Sequence, residues 1–245
     1  MRHTEQSMIQ FTRSRATILV GAFGSGKTEL AVNFATRMAD SAGGRATLVD
    51  IDILKPMFRS RDLRRQLAAK GVRVVSSVEG YEAVDVPALS PAIYGAIEDE
   101  STPLVMDVGG DDDGARALGR FRADLERAGY DMLYVVNTLR PFSSTPEEIV
   151  AMLQAVERAS RLTCTALVSN ANLGAASSVD EISGGLDMVS RVSGELGIPV
   201  RFFAVSRRVA QSQGESVDRI ARDAGIPAFV IDRLVLPPWE RPSEE

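Results

Sequence analysis

One run of residues constrains this chain more than any other: Gly21-Ala22-Phe23-Gly24-Ser25-Gly26-Lys27-Thr28. It follows an apolar stretch, Ala16-Thr17-Ile18-Leu19-Val20, that reads as a buried strand. It opens a segment, residues 27–39, that puts Leu30, Ala31, Phe34, Ala35 and Met38 on one helical face, and Gly43-Gly44 stops it. The pattern G-x-x-x-x-G-K-[ST] between a strand and a helix is what a phosphate cradle requires. Glycines let successive backbone N–H groups turn toward one anion. The helix N-terminus adds its partial positive charge at the same point. The candidate phosphate and cofactor contacts are therefore Gly21, Phe23, Gly24, Ser25, Gly26, Lys27, Thr28 and Glu29. Lys27 would reach the β- and γ-phosphates, and the Thr28 hydroxyl would ligate Mg2+.

The remaining patterning tells what surrounds that loop. Further apolar runs at 46–50, 72–76, 103–108, 132–137, 164–169, 200–205 and 228–232 read as strands. Most lack period-two alternation, as strands covered on both faces do. Thr145-Pro146-Glu147-Glu148 and Ser178-Val179-Asp180-Glu181 are capping boxes, the first with proline at the first helical position. Gly197-Ile198-Pro199 and Gly225-Ile226-Pro227 read as C-cap glycines that end a helix before the next strand. This βαβα order implies an α/β fold, a mostly parallel β-sheet sandwiched between helices with right-handed crossovers, and with the glycine loop after its first strand the P-loop NTPase fold is expected. Residues 1–15 are expected as a polar lead-in, 16–236 as a single nucleotide-binding domain and 237–245 as an extended tail, with Trp239 packing back on the body.

Composition removes several classes of function. No apolar run approaches the ~20 residues needed to cross a bilayer. The opening Met1-Arg2-His3-Thr4-Glu5-Gln6 lacks the pattern of a signal peptide, so a soluble cytoplasmic protein is expected. The one cysteine, Cys164, excludes an intramolecular disulfide framework and a Cys-rich metal site, and the one histidine, His3, argues against histidine-based catalysis. A net charge of −5 weighs against nucleic acid as a partner. Of 28 basic residues only Lys27, Lys55 and Lys70 are lysine, which makes the placement of Lys27 informative.

A phosphate cradle needs acidic partners on neighbouring strands. Leu104-Val105-Met106-Asp107-Val108-Gly109-Gly110 supplies one: Asp107 would hold Mg2+ through water, and Gly110 would offer its N–H to the γ-phosphate. Such a segment senses triphosphate against diphosphate. In Asp111-Asp112-Asp113 a helix begins, with Ala115, Leu118, Phe121 and Leu125 on one face, so these carboxylates read as dipole partners ahead of a metal site. Leu48-Val49-Asp50-Ile51-Asp52 ends a strand at the sheet edge where the cradle opens. There Asp52 is the catalytic candidate, positioning or polarising the attacking water, or else it caps the following turn. Arg59 and Arg61 contact phosphate or pair with acidic neighbours, and Asp85 and Arg140 lie in loops that line the site or serve turns. Arg140 could bind an anionic substrate.

Together the glycine loop, the D-x-D of Asp50 and Asp52 and the D-x-x-G of Asp107 and Gly110 resemble the ParA/MinD (CobQ/CobB/MinD/ParA) class of P-loop nucleotide-binding proteins, over roughly residues 16–205. The resemblance implies ATP and Mg2+ as cofactors and a nucleotide-dependent homodimer. It makes Asp52 the hydrolytic aspartate, Asp107 the magnesium-side one, and Asn170 the asparagine that reads adenine. One departure stands out: the second, signature lysine of the sandwich-forming members is replaced by Ala22, which makes the loop similar to the plain form of the signal-recognition GTPases. A guanine-reading [NT]KxD is absent, the late strand ending in Ser169-Asn170-Ala171-Asn172. The tail Pro237-Pro238-Trp239-Glu240-Arg241-Pro242 is unlike a basic membrane-binding helix, so no membrane partner is expected.

The expected function is that of a Mg2+-dependent ATPase whose cycle switches a conformation read by a protein partner. The alternatives are an ATP-dependent small-molecule kinase or ligase of the CobB and dethiobiotin synthetase type, and a non-hydrolysing nucleotide sensor.

Overall fold

Every strand expected from its apolar run forms in the computed structural model, which describes residues 8, 11–41, 43–51, 61–76, 91–110, 112–172, 174 and 177–235. The elements in chain order are β1 (Ala16–Val20), α1 (Lys27–Ser41), β2 (Ala46–Asp50), α2 (Arg61–Ala69), β3 (Val72–Ser76), α3 (Pro91–Glu98), β4 (Leu104–Asp107) and α4 (Asp112–Gly119). There follow α5 (Arg122–Ala128), β5 (Tyr130–Val136), α6 (Pro146–Ser160), β6 (Ala166–Ser169), α7 (Val179–Leu196), β7 (Val200–Ser206), α8 (Arg207–Ser212), α9 (Gly214–Ala224) and β8 (Ala228–Ile231). The strands form one eight-stranded sheet in the order β3-β2-β4-β1-β5-β6-β7-β8. All its pairings are parallel.

Alternate side chains of each strand feed two different cores. Ile18, Val20, Met106, Met132, Tyr134 and Leu167 pack with α3 to α7 on one face. Leu19, Leu48, Val105, Leu133, Val135 and Val168 pack with α1 and α2 on the other. A third cluster joins Phe203 and Val205 to α7, α8 and α9. Burial on both faces is why the strands read as unbroken apolar runs. Parallel alignment also brings every strand's C-terminal end to one edge of the sheet.

The helix-boundary expectations at the capping boxes are met in detail. Thr145 and Ser178 each accept from the backbone N–H three residues on, and Glu148 and Glu181 reach back to the cap backbone. Gly197 and Gly225 sit in the left-handed region and close α7 and α9. Two expectations need correction. The helix expected through Ala115, Leu118, Phe121 and Leu125 is two helices, α4 and α5, broken at Arg120-Phe121. Gly119, the last residue of α4, lies against the end of α6, where a β-carbon would sit 3.0 Å from the Ser160 carbonyl oxygen, so the close approach suits a glycine.

The second correction concerns the stretch before β1. Met8 and Phe11 are buried. Phe11 packs edge-on to Phe202 and Phe229, with ring centroids 5.5 and 4.9 Å apart. Asp131, at the start of β5, accepts from the backbone N–H groups of Arg13 and Ser14 and pairs with Arg201 at 3.2 Å. Arg15 donates to the carbonyls of Asp99 and Thr102 beyond α3. Polar composition concealed this, because one aromatic residue and a few backbone bonds anchor the segment. Of the expected tail, residues 237–245 lie outside the described residues.

Candidate functional site

The loop between β1 and α1 occupies the middle of the C-terminal edge, with β4 on one side and β5 on the other. Its backbone is specialised. Gly26 has φ +88°, and a β-carbon there would meet the Asn170 amide nitrogen at 2.3 Å, so only glycine fits. Ser25 is buried within the loop, whereas Phe23 is 68% exposed. Lys27 is 7% exposed and its ammonium donates to the carbonyls of Gly21 and Ala22, each at 2.9 Å. The cation is thereby held against the turn that its own loop makes. Thr28 follows in the first turn of α1.

The β4 edge approaches this loop closely. Val108 N–H donates to Leu19 O at 3.2 Å, extending the ladder one step past the strand. Two residues later, Gly110 rests on the cradle. A β-carbon on Gly110 would lie 2.7 Å from Phe23 N and 2.9 Å from the Lys27 ammonium. The D-x-x-G segment and the phosphate loop are thus in direct contact. Asp107 is buried and stands level with Leu19 of β1 and with Asp50 of β2.

These positions fit a hard divalent cation. The Thr28 hydroxyl and the Asp107 carboxylate are oxygen donors, and Asp50 places a second buried carboxylate one strand further out. Among the described residues no group of three or more His, Cys, Asp or Glu gathers as an all-protein cage. One hydroxyl and one or two carboxylates are the protein share that Mg2+ takes when phosphates and waters complete its shell.

On the opposite side the structure adds contacts that the sequence did not signal. Asn170, 2% exposed beyond β6, donates its amide to Ser25 O at 2.7 Å. Its Oδ1 is buried and accepts no hydrogen bond among the described residues. Asn170 therefore braces the phosphate loop, a role that its position after a strand could not announce. Arg140, beyond β5, lays its stem over Gly24.

Glu29, expected beside the nucleotide, turns instead to the chain after β8. Its carboxylate accepts from the N–H groups of Leu234 at 2.6 Å and Val235 at 3.2 Å. Burial pushes its pKa up to about 7, against the lowering effect of those two N–H groups and of Arg233. One turn on, Asn33 exchanges hydrogen bonds with the backbone of Asp232, both at 2.8 Å. The helix that carries Lys27 and Thr28 is thereby stitched to the end of the sheet.

Other expected residues are placed as follows. Asp112 and Asp113 lie in the first turn of α4 and face Arg116 at 3.7 and 3.5 Å, as dipole partners do. Cys164 is buried and its thiol is pushed up to about 12 by burial, which leaves it without nucleophilic character near neutral pH. Asp52, Arg59, Asp85, Asp111 and the Arg61 side chain lie outside the described residues. No helix of the described residues is long and apolar enough to cross a membrane.

No protein-family model and no curated protein matches the sequence. Solved structures do match. One is the cell division protein FtsY of Thermotoga maritima, at TM-score 0.53 and 18% identity over 78% of this chain and 61% of that one. A second is the signal recognition particle receptor FtsY of Elizabethkingia anophelis, at 0.51 and 18% over 84% of this chain and 64% of that one. A third is the signal recognition particle 54 kDa protein of Aeropyrum pernix in complex with GDP, at 0.50 and 18% over 86% and 50%. At such identities the likeness is one of fold, and this chain spans no more than 64% of the length of these structures.

The eight-stranded parallel sheet, the glycine loop at its C-terminal edge and these neighbours define the P-loop NTPase fold. The neighbours carry that fold assignment and not the narrower ParA/MinD likeness.

Proposed function

We propose that this chain is a Mg2+-dependent ATP-binding protein of the ParA/MinD-like kind, whose ATPase cycle works as a switch for a protein partner. The observation that carries the reading is the seating of Gly110 against Phe23 and the Lys27 ammonium. A segment that touches the phosphate loop there must respond to what the loop holds, and it runs on into α4 at the protein surface. This is the arrangement by which a γ-phosphate is converted into movement of a neighbouring segment.

In this reading the loop from Gly21 to Gly26 cradles the β-phosphate with its N–H groups, and Lys27 leaves the loop carbonyls to reach the β- and γ-phosphates. Thr28 and Asp107 would hold Mg2+, which would supply neutralisation of the phosphate charge. Asp52 positions the attacking water, and Gly110 offers its N–H to the γ-phosphate. Catalysis of this type is mainly placement and charge neutralisation. Adenine is favoured by the missing [NT]KxD, and the buried Asn170 Oδ1 leaves an acceptor for a base amino group.

The test is nucleotide identification by mass spectrometry on the purified protein, followed by titration with ATP and GTP in Mg2+. ATP should be retained and bound in preference to GTP. Lys27→Ala should abolish binding, and Asp52→Ala should bind ATP yet hydrolyse it at least ten-fold more slowly. Unchanged ATP affinity in Lys27→Ala would remove the phosphate-site assignment. Light scattering with and without ATP tests for a nucleotide-dependent homodimer, against which Ala22 in place of the signature lysine weighs.

A further inference from the structure

The turn after β5 is wound around one buried side chain. Asn137 donates its amide to Asn172 O at 2.9 Å and accepts from Leu139 N–H at 3.2 Å. Its backbone carbonyl accepts from Arg140 N–H at 3.1 Å and from the Ser143 hydroxyl at 2.7 Å. Phe142 adopts φ +66° to close the turn, a conformation that costs a β-carbon-bearing residue about 1 kcal/mol or more. The turn is thus over-determined by hydrogen bonds. It holds its outermost residues in one place above the phosphate loop.

What it holds there is Arg140. A β-carbon on Gly24 would lie 3.7 Å from Cδ, 3.8 Å from Cγ and 3.9 Å from Nε of Arg140, so the arginine stem crosses the open face of that glycine. The residue is exposed, and among the described residues no carboxylate pairs with its guanidinium. A cation fixed by its stem and left unpaired at its head, beside a phosphate cradle, is poised for an anion. The planar fork of a guanidinium matches two phosphate oxygens at once.

The Lys27 ammonium lies at Gly21 and Ala22, next to Gly110 on the β4 side, whereas Arg140 lies over Gly24 from the β5 side. The two cations therefore bracket the loop. We propose that Arg140 is a phosphate clamp supplied by the chain itself, gripping the terminal phosphate of a bound nucleoside triphosphate and so favouring triphosphate over diphosphate. This rests on the nucleotide-binding reading above and adds to it the residue that sets the phosphate preference. Asn137 is its positioning residue, acting through the turn and touching no ligand.

The experiment measures the affinities of a non-hydrolysable ATP analogue and of ADP, both with Mg2+, for the wild type, Arg140→Ala, Arg140→Lys and Lys27→Ala. Loss of a charge-assisted pair should weaken the triphosphate analogue roughly ten- to hundred-fold in Arg140→Ala. ADP should change less than about three-fold, and Arg140→Lys, which keeps charge without the fork, should fall between. The melting temperature without nucleotide should not move, because the side chain is exposed. Equal affinities in Arg140→Ala and wild type, or equal losses for both nucleotides, overturn the clamp. Lys27→Ala reads the phosphate site separately: a wild type that binds while Lys27→Ala binds equally overturns the site reading. A wild type that binds neither nucleotide overturns both.

Discussion

The Asn170 side-chain amide donates to the Ser25 carbonyl at 2.7 Å, joining the end of β6 to the phosphate loop across 145 residues of sequence. Both residues are buried, so the bond has no water to replace it. Removing the donor leaves the Ser25 carbonyl unsatisfied and frees the loop at its most crowded point, beside Gly26. Asn170→Ala should therefore cost about 1–3 kcal/mol of stability. It should also weaken nucleotide binding by roughly ten-fold. Thermal melting and nucleotide titration measure the two effects. A variant with wild-type values in both would show that the bond does not shape the loop.

Gly110 makes a sharper prediction, because no flexible side chain can yield to a substituent there. In Gly110→Ala the new methyl would stand 2.7 Å from Phe23 N, which is backbone. Either the D-x-x-G segment lifts away or the phosphate loop distorts. The expected outcome is a loss of nucleotide affinity of ten-fold or more with a folded protein, since the segment lies at the sheet edge and not in its core. Circular dichroism and nucleotide titration on the same sample separate misfolding from a damaged site.

Most of the scaffold was legible in the sequence because its signals are local. An apolar run of five residues between turn-formers reports a doubly covered strand, and all eight such runs became strands. Thr145 and Ser178 announced their helices through side chains only three residues from their partners. The glycine loop was legible for the same reason, its residues being contiguous. The contacts that were missed are all long-range. Nothing near Arg140 in sequence reveals that its stem will cross Gly24, and nothing near Glu29 reveals Leu234 and Val235. The apolar period ran on past Gly119, but α4 ends there and α5 begins at Arg122, with Gly119 packed against the distant end of α6.

Phe11 tests the corrected view of the stretch before β1. It is fully buried and touches two aromatic rings that belong to β7 and β8, on the far side of the sheet from β2. Phe11→Ala should cost about 3–5 kcal/mol, the range for removing a large aromatic side chain from a packed core. Urea unfolding gives the figure. The same aromatic cluster includes Phe34 of α1, the helix that carries Lys27 and Thr28, so nucleotide affinity should be compared well below the new transition. A cost below about 1 kcal/mol would mean that the segment is a lead-in after all.

Glu29 predicts a pH dependence whose sign is fixed by its environment. Burial holds its pKa near 7 in the folded chain, against the usual 4.5 when unfolded. Between those values the folded chain binds the additional proton, so stability falls as pH rises. The contribution is fully present below about 4.5 and is lost by the time pH passes 7. A separation of that size corresponds to roughly 3 kcal/mol across the window. Glu29→Gln keeps the acceptor oxygen for Leu234 and Val235 while removing the titration, so its stability should stay level where the wild type declines. The difference between the two melting curves, taken from pH 4.5 to 8, isolates this residue from every other titrating group. Parallel curves for the two proteins would show that the carboxyl is not held in its protonated form by burial.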